Sequence, residues 1–317
     1  MQNINEHKLS ARQPRVRGVT LIELLVSLVI GLLLAIAASA TYLFSKQSYS
    51  AVTENSQMEE NGRFALTLLV RYIQSAGNVM LNPQATAAQG ALDVKIRGCD
   101  LGFVNARSGT GPADIACRTA TPAGERRSSS VSTFFETDAP SLTGARFEGF
   151  NCIGDGAAAK TTTGLTGLIT TTYQASSHLF ISTETVPTAN GGTTTMGQLS
   201  CAPENSTTGA LSLSQPLIPG IEQLAVTYLL PSVPTVSGEV PRLAQSPLTA
   251  AQVAAANRWG EVVAVDLCVL TRSIQPAGND TGTQYTDCFG TALVTTGSES
   301  FRTFRTTVNL RNRTPAL

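Results

Sequence analysis

A long apolar run opens the chain and predicts a membrane-spanning helix over residues 19–44. The run follows a basic segment that ends at Arg17 and Gly18, and Glu23 is its single charged residue. A charge inside a membrane-length run costs roughly 2.5–3.5 kcal/mol on insertion scales, so Glu23 is a candidate functional residue. The alternative is an interfacial residue at the edge of a membrane anchor.

After Phe44 the pattern becomes amphipathic and predicts that the same helix continues to residue 77. One face carries Ala65, Leu68, Leu69, Tyr72, Ile73 and Ala76, and the other carries Arg63, Thr67, Arg71 and Gln74. This helical spacing predicts that the second half of the helix packs against a sheet. Gly77 and Asn78 end the pattern, and Gly31 and Gly62 are the points where the helix could bend.

The remaining residues, 78–317, predict a β-rich domain with loop-rich insertions, which makes the fold class α+β with an antiparallel sheet. Apolar or alternating runs predict strands at residues 130–135, 178–182, 221–228, 262–270 and 304–311. Composition predicts loops over Gly154–Thr172 and Ala189–Gly197. Ser246 and Pro247 predict the N-cap and first residue of a short helix over residues 248–257.

The charge and the cysteine content of the chain indicate which partners and which compartment to expect for this domain. The formal net charge is zero and only 14% of residues are charged, so whole-chain charge predicts no nucleic-acid partner. The six cysteines are Cys99, Cys117, Cys152, Cys201, Cys268 and Cys288. An even number of spaced cysteines beyond a membrane segment indicates disulfides in an oxidising compartment. Of 15 connectivities, the sequential pairs 99–117, 152–201 and 268–288 are favoured because short loops close most easily.

We find no constellation of residues typical of an enzyme, and we expect no catalytic residue, cofactor, metal or small-molecule substrate. His178 is the one histidine outside the N-terminal basic segment, and it lies in a predicted strand where a structural role is expected. The acids Asp93, Asp100, Asp114 and Asp155 are scattered and match no calcium loop. The basic C-terminal residues Arg302, Arg305, Arg311 and Arg313 are interpreted as a solvated strand face, so direct nucleic-acid binding is not expected.

The run Gly18-Val19-Thr20-Leu21-Ile22-Glu23 resembles the type III signal of type IV prepilins. The resemblance implies that residues 1–18 are a leader, that a prepilin peptidase cuts after Gly18, and that the new N-terminal residue, Val19, is methylated. Many relatives have Phe or Met at the position of Val19. Leu21, Ile22 and Glu23 would then act in assembly, with Glu23 as the counter-charge of the Val19 amine.

Further stretches resemble the PilW branch of the minor pilins: residues 61–66, 76–77, 219–222, 259–273 and 304–313. The resemblance implies a pilin fold and a low-copy subunit that primes type IV pilus assembly in a tip complex with other minor pilins and the major pilin. Motility, adhesion or DNA uptake would depend on it. No resemblance covers the middle of the chain.

The basic leader predicts an inner-membrane protein with its N-terminus inside and its C-terminus outside, and a cell-surface pilus after assembly.

Two alternatives to a minor pilin stay open. The first is a minor pseudopilin of a type II secretion system, which uses the same signal. The second is a secreted adhesin or enzyme with an ordinary signal peptide, for which Ala38-Ser39-Ala40 resembles the cleavage site.

Overall fold

The computed structural model divides the chain into two compact units, Met1–Tyr49 and Ser50–Leu317. The residues that it describes are 18–78, 96–104, 116–137, 151–154, 157–163, 169–187, 192–203, 213–231, 246–274, 282–297 and 299–311. The basic leader residues up to Arg17 lie outside them, as do Asp93, Asp114, Asp155 and Arg313.

The first element, α1, is an α-helix over Leu21–Ser75, which confirms the predicted long N-terminal helix. It ends where the sequence predicts, because Gly77 adopts a positive φ of 75° and its N–H donates to the carbonyl oxygen of Phe134 at 2.8 Å. Gly31 and Gly62 lie inside an uninterrupted helix, so neither is a break in its hydrogen bonding.

Eleven strands form three sheets among the described residues, and every pairing is antiparallel, which confirms the predicted α+β class. The largest sheet has the order β1-β2-β4-β5-β6, with β3 paired to β4. Its strands are β1 (Ile96–Cys99), β2 (Ser130–Thr137), β3 (Ala158–Thr163), β4 (Ile169–Pro187), β5 (Thr193–Ala202) and β6 (Gln215–Pro219).

The C-terminal part supplies the other two sheets and a short helix. One sheet has the order β11-β8-β7, and the other pairs β9 with β10. The strands are β7 (Ile221–Leu229), β8 (Ala264–Arg272), β9 (Gln284–Thr286), β10 (Ala292–Val294) and β11 (Phe301–Asn309). The helix α2 covers Ala250–Ala255, and a 3-10 turn covers Trp259–Glu261.

Two predicted loops are wrong, because both segments contain strands. The Thr-rich part of Gly154–Thr172 forms β3 and the start of β4, and the end of Ala189–Gly197 forms the start of β5. Threonine is β-branched and favours extended backbone, so its polarity does not by itself indicate a loop.

The predicted start of the short helix is also displaced. The N-cap is Thr249 and not Ser246, because Thr249 accepts a hydrogen bond from the N–H of Gln252 while the Gln252 side chain accepts from the N–H of Thr249. This reciprocal pair is a capping box. The carboxylate of Asp100, which follows β1, accepts hydrogen bonds from the N–H groups of the first two residues of α2. These are Ala250 and Ala251, at 2.8 and 3.0 Å.

The predicted apolar face of α1 is buried in the main core of the Ser50–Leu317 unit. Ala65, Leu69 and Ile73 are fully buried there, with side chains from both large sheets around them. Core residues of the sheets include Val131, Leu179, Leu199, Leu224, Val226, Val265, Val269 and Val308. One apolar helix face thus holds the two sheets of this unit together.

Candidate functional site

The predicted cut-site segment leads directly into the first turn of α1. Thr20 is the last residue before the helix, and its carbonyl oxygen accepts the N–H groups of Glu23 and Leu24 at 3.1 Å each. The Thr20 hydroxyl oxygen also accepts from the Glu23 N–H at 3.4 Å. Thr20 therefore acts as the N-cap, and Glu23 occupies the first turn, where the helix dipole favours a negative charge.

The apolar part of α1 is long and apolar enough to cross a membrane, and this part of the helix is exposed along its length. The predicted assembly residues Leu21 and Ile22 are 79% and 70% exposed, and Val19 is 68% exposed. A single chain that exposes such a surface needs lipid or other apolar helices around it.

Three serine and threonine hydroxyls within this apolar segment are bonded to the helix itself. The hydroxyls of Ser27, Ser39 and Thr41 donate to carbonyl oxygens three or four residues earlier, at 2.9, 2.8 and 2.6 Å. Their donors are therefore satisfied without water, as a hydrocarbon environment requires. The helix runs through Ala38-Ser39-Ala40 without interruption.

All six cysteines form disulfides, in the sequential pairs that the sequence analysis favoured. Cys99 bonds to Cys117, Cys152 to Cys201 and Cys268 to Cys288, with Cα–Cα distances of 5.2, 6.3 and 5.5 Å. Cys152 and Cys201 belong to the main core, whereas Cys268 and Cys288 tie β8 to the chain that follows β9. Three such cross-links are typical of domains that fold in an oxidising environment.

His178 is buried, as a structural histidine would be. Its Nδ1 lies 2.8 Å from the Ser132 hydroxyl, and the rings of Phe103 and Phe134 meet it edge-on at 6.2 and 5.7 Å. Burial lowers the pKa of His178 to about 4 from its ordinary 6.5, so the ring is neutral at physiological pH. Its position inside the sheet gives no open access for a substrate.

Asp100, Arg302 and Arg305 make intramolecular contacts. Asp100 caps α2, and the described residues hold no group of three or more His, Cys, Asp or Glu side chains placed to bind a metal ion. Arg302 lies 3.5 Å from Glu59 on α1, and Arg305 donates to the carbonyl oxygen of Cys288 at 3.3 Å. Arg311 is exposed.

A buried ionic cluster joins the two large sheets, and sequence reasoning missed it. Glu222 is 9% exposed; it accepts the Gly197 N–H at 3.0 Å and lies 3.3 Å from Arg272 and 3.8 Å from Arg126. Gly197 is required there, because a side chain would overlap the backbone at Ile221 and Glu222. The partners are 25 to 96 residues apart, so no local pattern indicates the cluster.

Two comparisons with known families now bear on this geometry. Residues 13–39 match the family model described as the prokaryotic N-terminal methylation motif, and residues 185–312 match that of the Type IV Pilus-assembly protein W. The two matches support a PilW-like type IV minor pilin. No curated protein and no solved structure matches the chain.

The two matches support a type IV pilus-related pilin, as the sequence predicted. The methylation motif covers the predicted cut site, the Thr20 cap, Glu23 and most of the apolar segment, and it implies processing by a prepilin peptidase and membrane anchoring before assembly. The PilW match covers the end of β4 and everything from β5 to β11, including Glu222 and Arg272.

Thr20 is the residue of the N-terminal site that the sequence analysis did not single out. The spacing Thr20-x-x-Glu23 is the signature of a capping box, and this signal was present in the sequence. Arg126 and Arg127 are exposed, as an ordinary surface pair would be, but their contacts with aromatic rings were not predicted. Arg126 lies over the ring of Phe301 at 5.0 Å, and Arg127 lies over the ring of Phe289 at 4.2 Å. Both arginines therefore connect the chain before β2 to the C-terminal part of the protein.

Proposed function

We propose that this protein is a minor pilin that helps to prime type IV pilus assembly and sits in the tip complex with other minor pilins and the major pilin. The observation that carries the proposal is the exposed apolar segment of α1, which begins at a cut-site motif and has one acid, Glu23, in its first turn. Motility, adhesion or DNA uptake would depend on this role indirectly.

The chemistry begins with the cut after Gly18, which turns the peptide nitrogen of Val19 into a charged amine. That amine lies one residue before the Thr20 cap and four residues before Glu23. An uncompensated charge in an apolar filament core is expensive, so a nearby carboxylate stabilises it. Glu23 supplies this counter-charge to Val19 of its own subunit or of a neighbour.

The same helix surface serves before and after assembly. Before assembly the apolar segment lies in the inner membrane, with the basic leader on the cytoplasmic side and the Ser50–Leu317 unit outside. After assembly the segment packs against the helices of other pilins. The hydroxyls of Ser27, Ser39 and Thr41 are bonded within the helix, so neither environment leaves these three donors unsatisfied.

The test replaces Glu23 by Ala in the chromosomal copy and compares it with Glu60→Ala, which removes an exposed carboxylate of α1 outside the apolar segment. We expect Glu23→Ala to remain in the membrane fraction while surface pili, counted by electron microscopy, fall strongly. Glu60→Ala should be piliated normally. Normal piliation of Glu23→Ala, at normal protein level, would contradict the charge pairing.

The type II secretion alternative is separated by a deletion strain. The match to a pilus-assembly family over residues 185–312 favours the pilus. We therefore expect deletion to abolish pili and leave the secretion of exoproteins intact. Loss of exoprotein secretion with normal pili would assign the protein to the pseudopilus instead.

A further inference from the structure

The strand β11 is an outer strand of the sheet that it forms with β8 and β7. It pairs with β8 over all of its 9 residues without a register shift, and β8 pairs with β7 on its other side. Among the described residues, no strand pairs with the other edge of β11. Such an edge presents a row of backbone N–H and C=O groups with which another chain can pair.

The register shows which backbone groups of β11 face that edge. Just after β11, the N–H of Leu310 donates to the carbonyl oxygen of Val263 at 3.0 Å. Just before β11, the carbonyl oxygen of Ser300 accepts the N–H of Ser273 at 3.0 Å. Residues along an antiparallel pair alternate between those that exchange hydrogen bonds with the partner strand and those that do not. The even-numbered residues of β11 therefore bond to β8. The odd-numbered residues turn their N–H and C=O groups to the open edge: Phe301, Thr303, Arg305, Thr307 and Asn309.

Other edges of this unit are protected in recognisable ways. The strand β6 carries Pro216 and Pro219, and its pairing with β5 is interrupted by a register shift. The outer edge of β7 is used at two places, because the Ser129 N–H donates to Leu224 and Tyr228 forms a bridge to the chain before α2. In contrast, β11 is long and regular and contains no proline. An edge without these protections is a candidate acceptor for a strand of another chain.

The side chains beside this edge are basic. Arg302 and Arg305 are three residues apart, so they lie on opposite faces of the sheet, and Arg311 follows the strand. All three are exposed, and β11 contains no Asp or Glu. Arg302 lies 3.5 Å from Glu59, but these side chains are 51% and 38% exposed, so the pair is weak. Opposite charges that face each other across paired strands stabilise a sheet, so the edge favours an acidic strand.

We propose that the open edge of β11 binds an extended acidic segment of a partner protein as an added strand. The outward N–H and C=O groups of Thr303, Arg305 and Thr307 pair with the backbone of that segment. Carboxylates three residues apart on the segment meet Arg302 on one face of the sheet and Arg305 on the other. The backbone hydrogen bonds supply affinity and the two arginines supply selectivity. This surface belongs to the Ser50–Leu317 unit, so the inference goes beyond the assembly role proposed for the apolar segment of α1.

A second copy of this chain is a poorer partner for the same edge. Pairing β11 of one chain with β11 of another would place Arg302 and Arg305 of both chains along one pair of strands. Like charges that face each other across paired strands destabilise a sheet. An acidic segment meets the same backbone groups and brings the opposite charge, so it is the partner that the edge fits.

The test measures peptide binding to the mature full-length protein in a zwitterionic detergent. The probe is a labelled heptapeptide, Thr-Glu-Val-Thr-Glu-Val-Thr, blocked at both ends, whose two glutamates have the spacing of Arg302 and Arg305. Its control has lysine in place of both glutamates. By fluorescence anisotropy we expect saturable binding of the acidic peptide and at least about tenfold weaker binding of the basic peptide, because two favourable charge pairs become repulsive. Equal affinities, or no saturation by the acidic peptide, would overturn the proposal.

Hydrogen–deuterium exchange separates strand addition from simple charge attraction. With the acidic peptide bound, the N–H groups of Thr303, Arg305 and Thr307 should exchange at least about tenfold more slowly, because they become hydrogen-bonded. Those of Phe304 and Thr306 already bond to β8 and should change less. Binding without added protection at the three edge N–H groups would place the peptide elsewhere and overturn the site. A dimeric protein that protects these groups before peptide is added would assign the edge to a second copy and overturn the acidic partner.

Thr303 gives a matched pair of variants. Thr303→Pro removes an N–H that faces the open edge and takes no part in the pairing with β8, and an edge strand tolerates proline at such a position. Thr303→Val keeps the N–H and the size of the side chain. We expect affinity for the acidic peptide to fall about tenfold in Thr303→Pro and to change less than about twofold in Thr303→Val. Equal affinities of the two variants would overturn the role of the edge.

The result stays interpretable if the proline variant does not fold, because hydrogen exchange on the unaltered protein with the two peptides still decides the question. Piliation of the Glu23 variants is a separate measurement on a separate part of the chain. The strand-addition proposal and the assembly proposal therefore fail independently.

Discussion

Gly62 on α1 lies against the ring of Phe304 on β11, so closely that a methyl group at Gly62 would overlap the ring. The close approach explains why glycine occupies a helix interior, where it otherwise costs roughly 0.5–1 kcal/mol relative to alanine. Sequence reasoning treated Gly62 as a possible bend. Its structural role is the contact between the helix and the C-terminal sheet.

Gly62→Ala is therefore expected to lower the free energy of unfolding by about 1–3 kcal/mol, because overpacking forces the ring or the helix to shift. Chemical denaturation, monitored by fluorescence, measures this change in the free energy of unfolding. Gly31→Ala is the control, since nothing lies within 4 Å of a methyl group there. Adding Phe304→Leu to Gly62→Ala should restore part of the loss. A Gly62→Ala protein more stable than the parent would refute the contact.

Variants of the buried cluster at Glu222 should lose stability by different amounts. Glu222→Gln leaves Arg272 without its carboxylate, and breaking a buried ion pair from one side typically costs about 3–5 kcal/mol. Arg126→Gln should cost far less, because Arg126 is 3.8 Å from Glu222 and 35% exposed. Urea unfolding of both variants gives the comparison. Equal destabilisation would show that burial of the cluster does not set its energetics.

The three disulfides differ in the length of chain that each one closes. Cys152 and Cys201 are 49 residues apart, whereas the other pairs are 18 and 20 residues apart. Loop-closure entropy predicts a loss of about 4 kcal/mol on replacing both Cys152 and Cys201 by Ala, and about 3 kcal/mol for either other pair. Denaturation of the three double variants tests the order, and non-reducing peptide mapping tests the connectivity directly.

Buried His178 predicts acid sensitivity. Its pKa is lowered by burial to about 4 in the folded chain, against 6.5 when unfolded, so protons bind the unfolded chain more readily. The stability is therefore complete above pH 6.5 and falls as the pH drops towards 4, by roughly 3 kcal/mol in total. Unfolding curves at several pH values measure how the free energy of unfolding changes with pH.

His178→Asn is the control for that slope, because its amide can keep a hydrogen bond to Ser132 but does not titrate. The variant should be less pH-dependent between pH 6.5 and 4 than the parent. A parent protein with the same slope as the variant would show that His178 does not bind its proton differently on folding.

Local patterns predicted the parts of the fold that depend on local physics. The uncharged run to Phe44 and the helical spacing of Ala65, Leu69 and Ile73 indicated α1, because membrane length and amphipathicity are visible in one stretch. The Thr-rich strands β3 and β5 were misread, since polar composition was weighed above β-branching. Within the candidate site, Gly18, Val19 and Glu23 came from a contiguous motif.

The remaining features depend on residues far apart in sequence. Glu222 meets Gly197 and Arg126 only because β5, β7 and the chain before β2 converge, and Arg126 meets Phe301 across 175 residues. Nothing in the neighbourhood of either residue specifies its partner. The ionic cluster around Glu222 could therefore be seen only in the folded chain.

The most direct test of the account is the intact mass and N-terminal peptide of the mature protein isolated from membranes. The account predicts a chain that begins at Val19 with a methylated amine, which keeps the whole of α1 and its exposed apolar segment. A chain that begins at Thr41, after Ala38-Ser39-Ala40, would contradict it, because the helix on which the assembly mechanism depends would be gone.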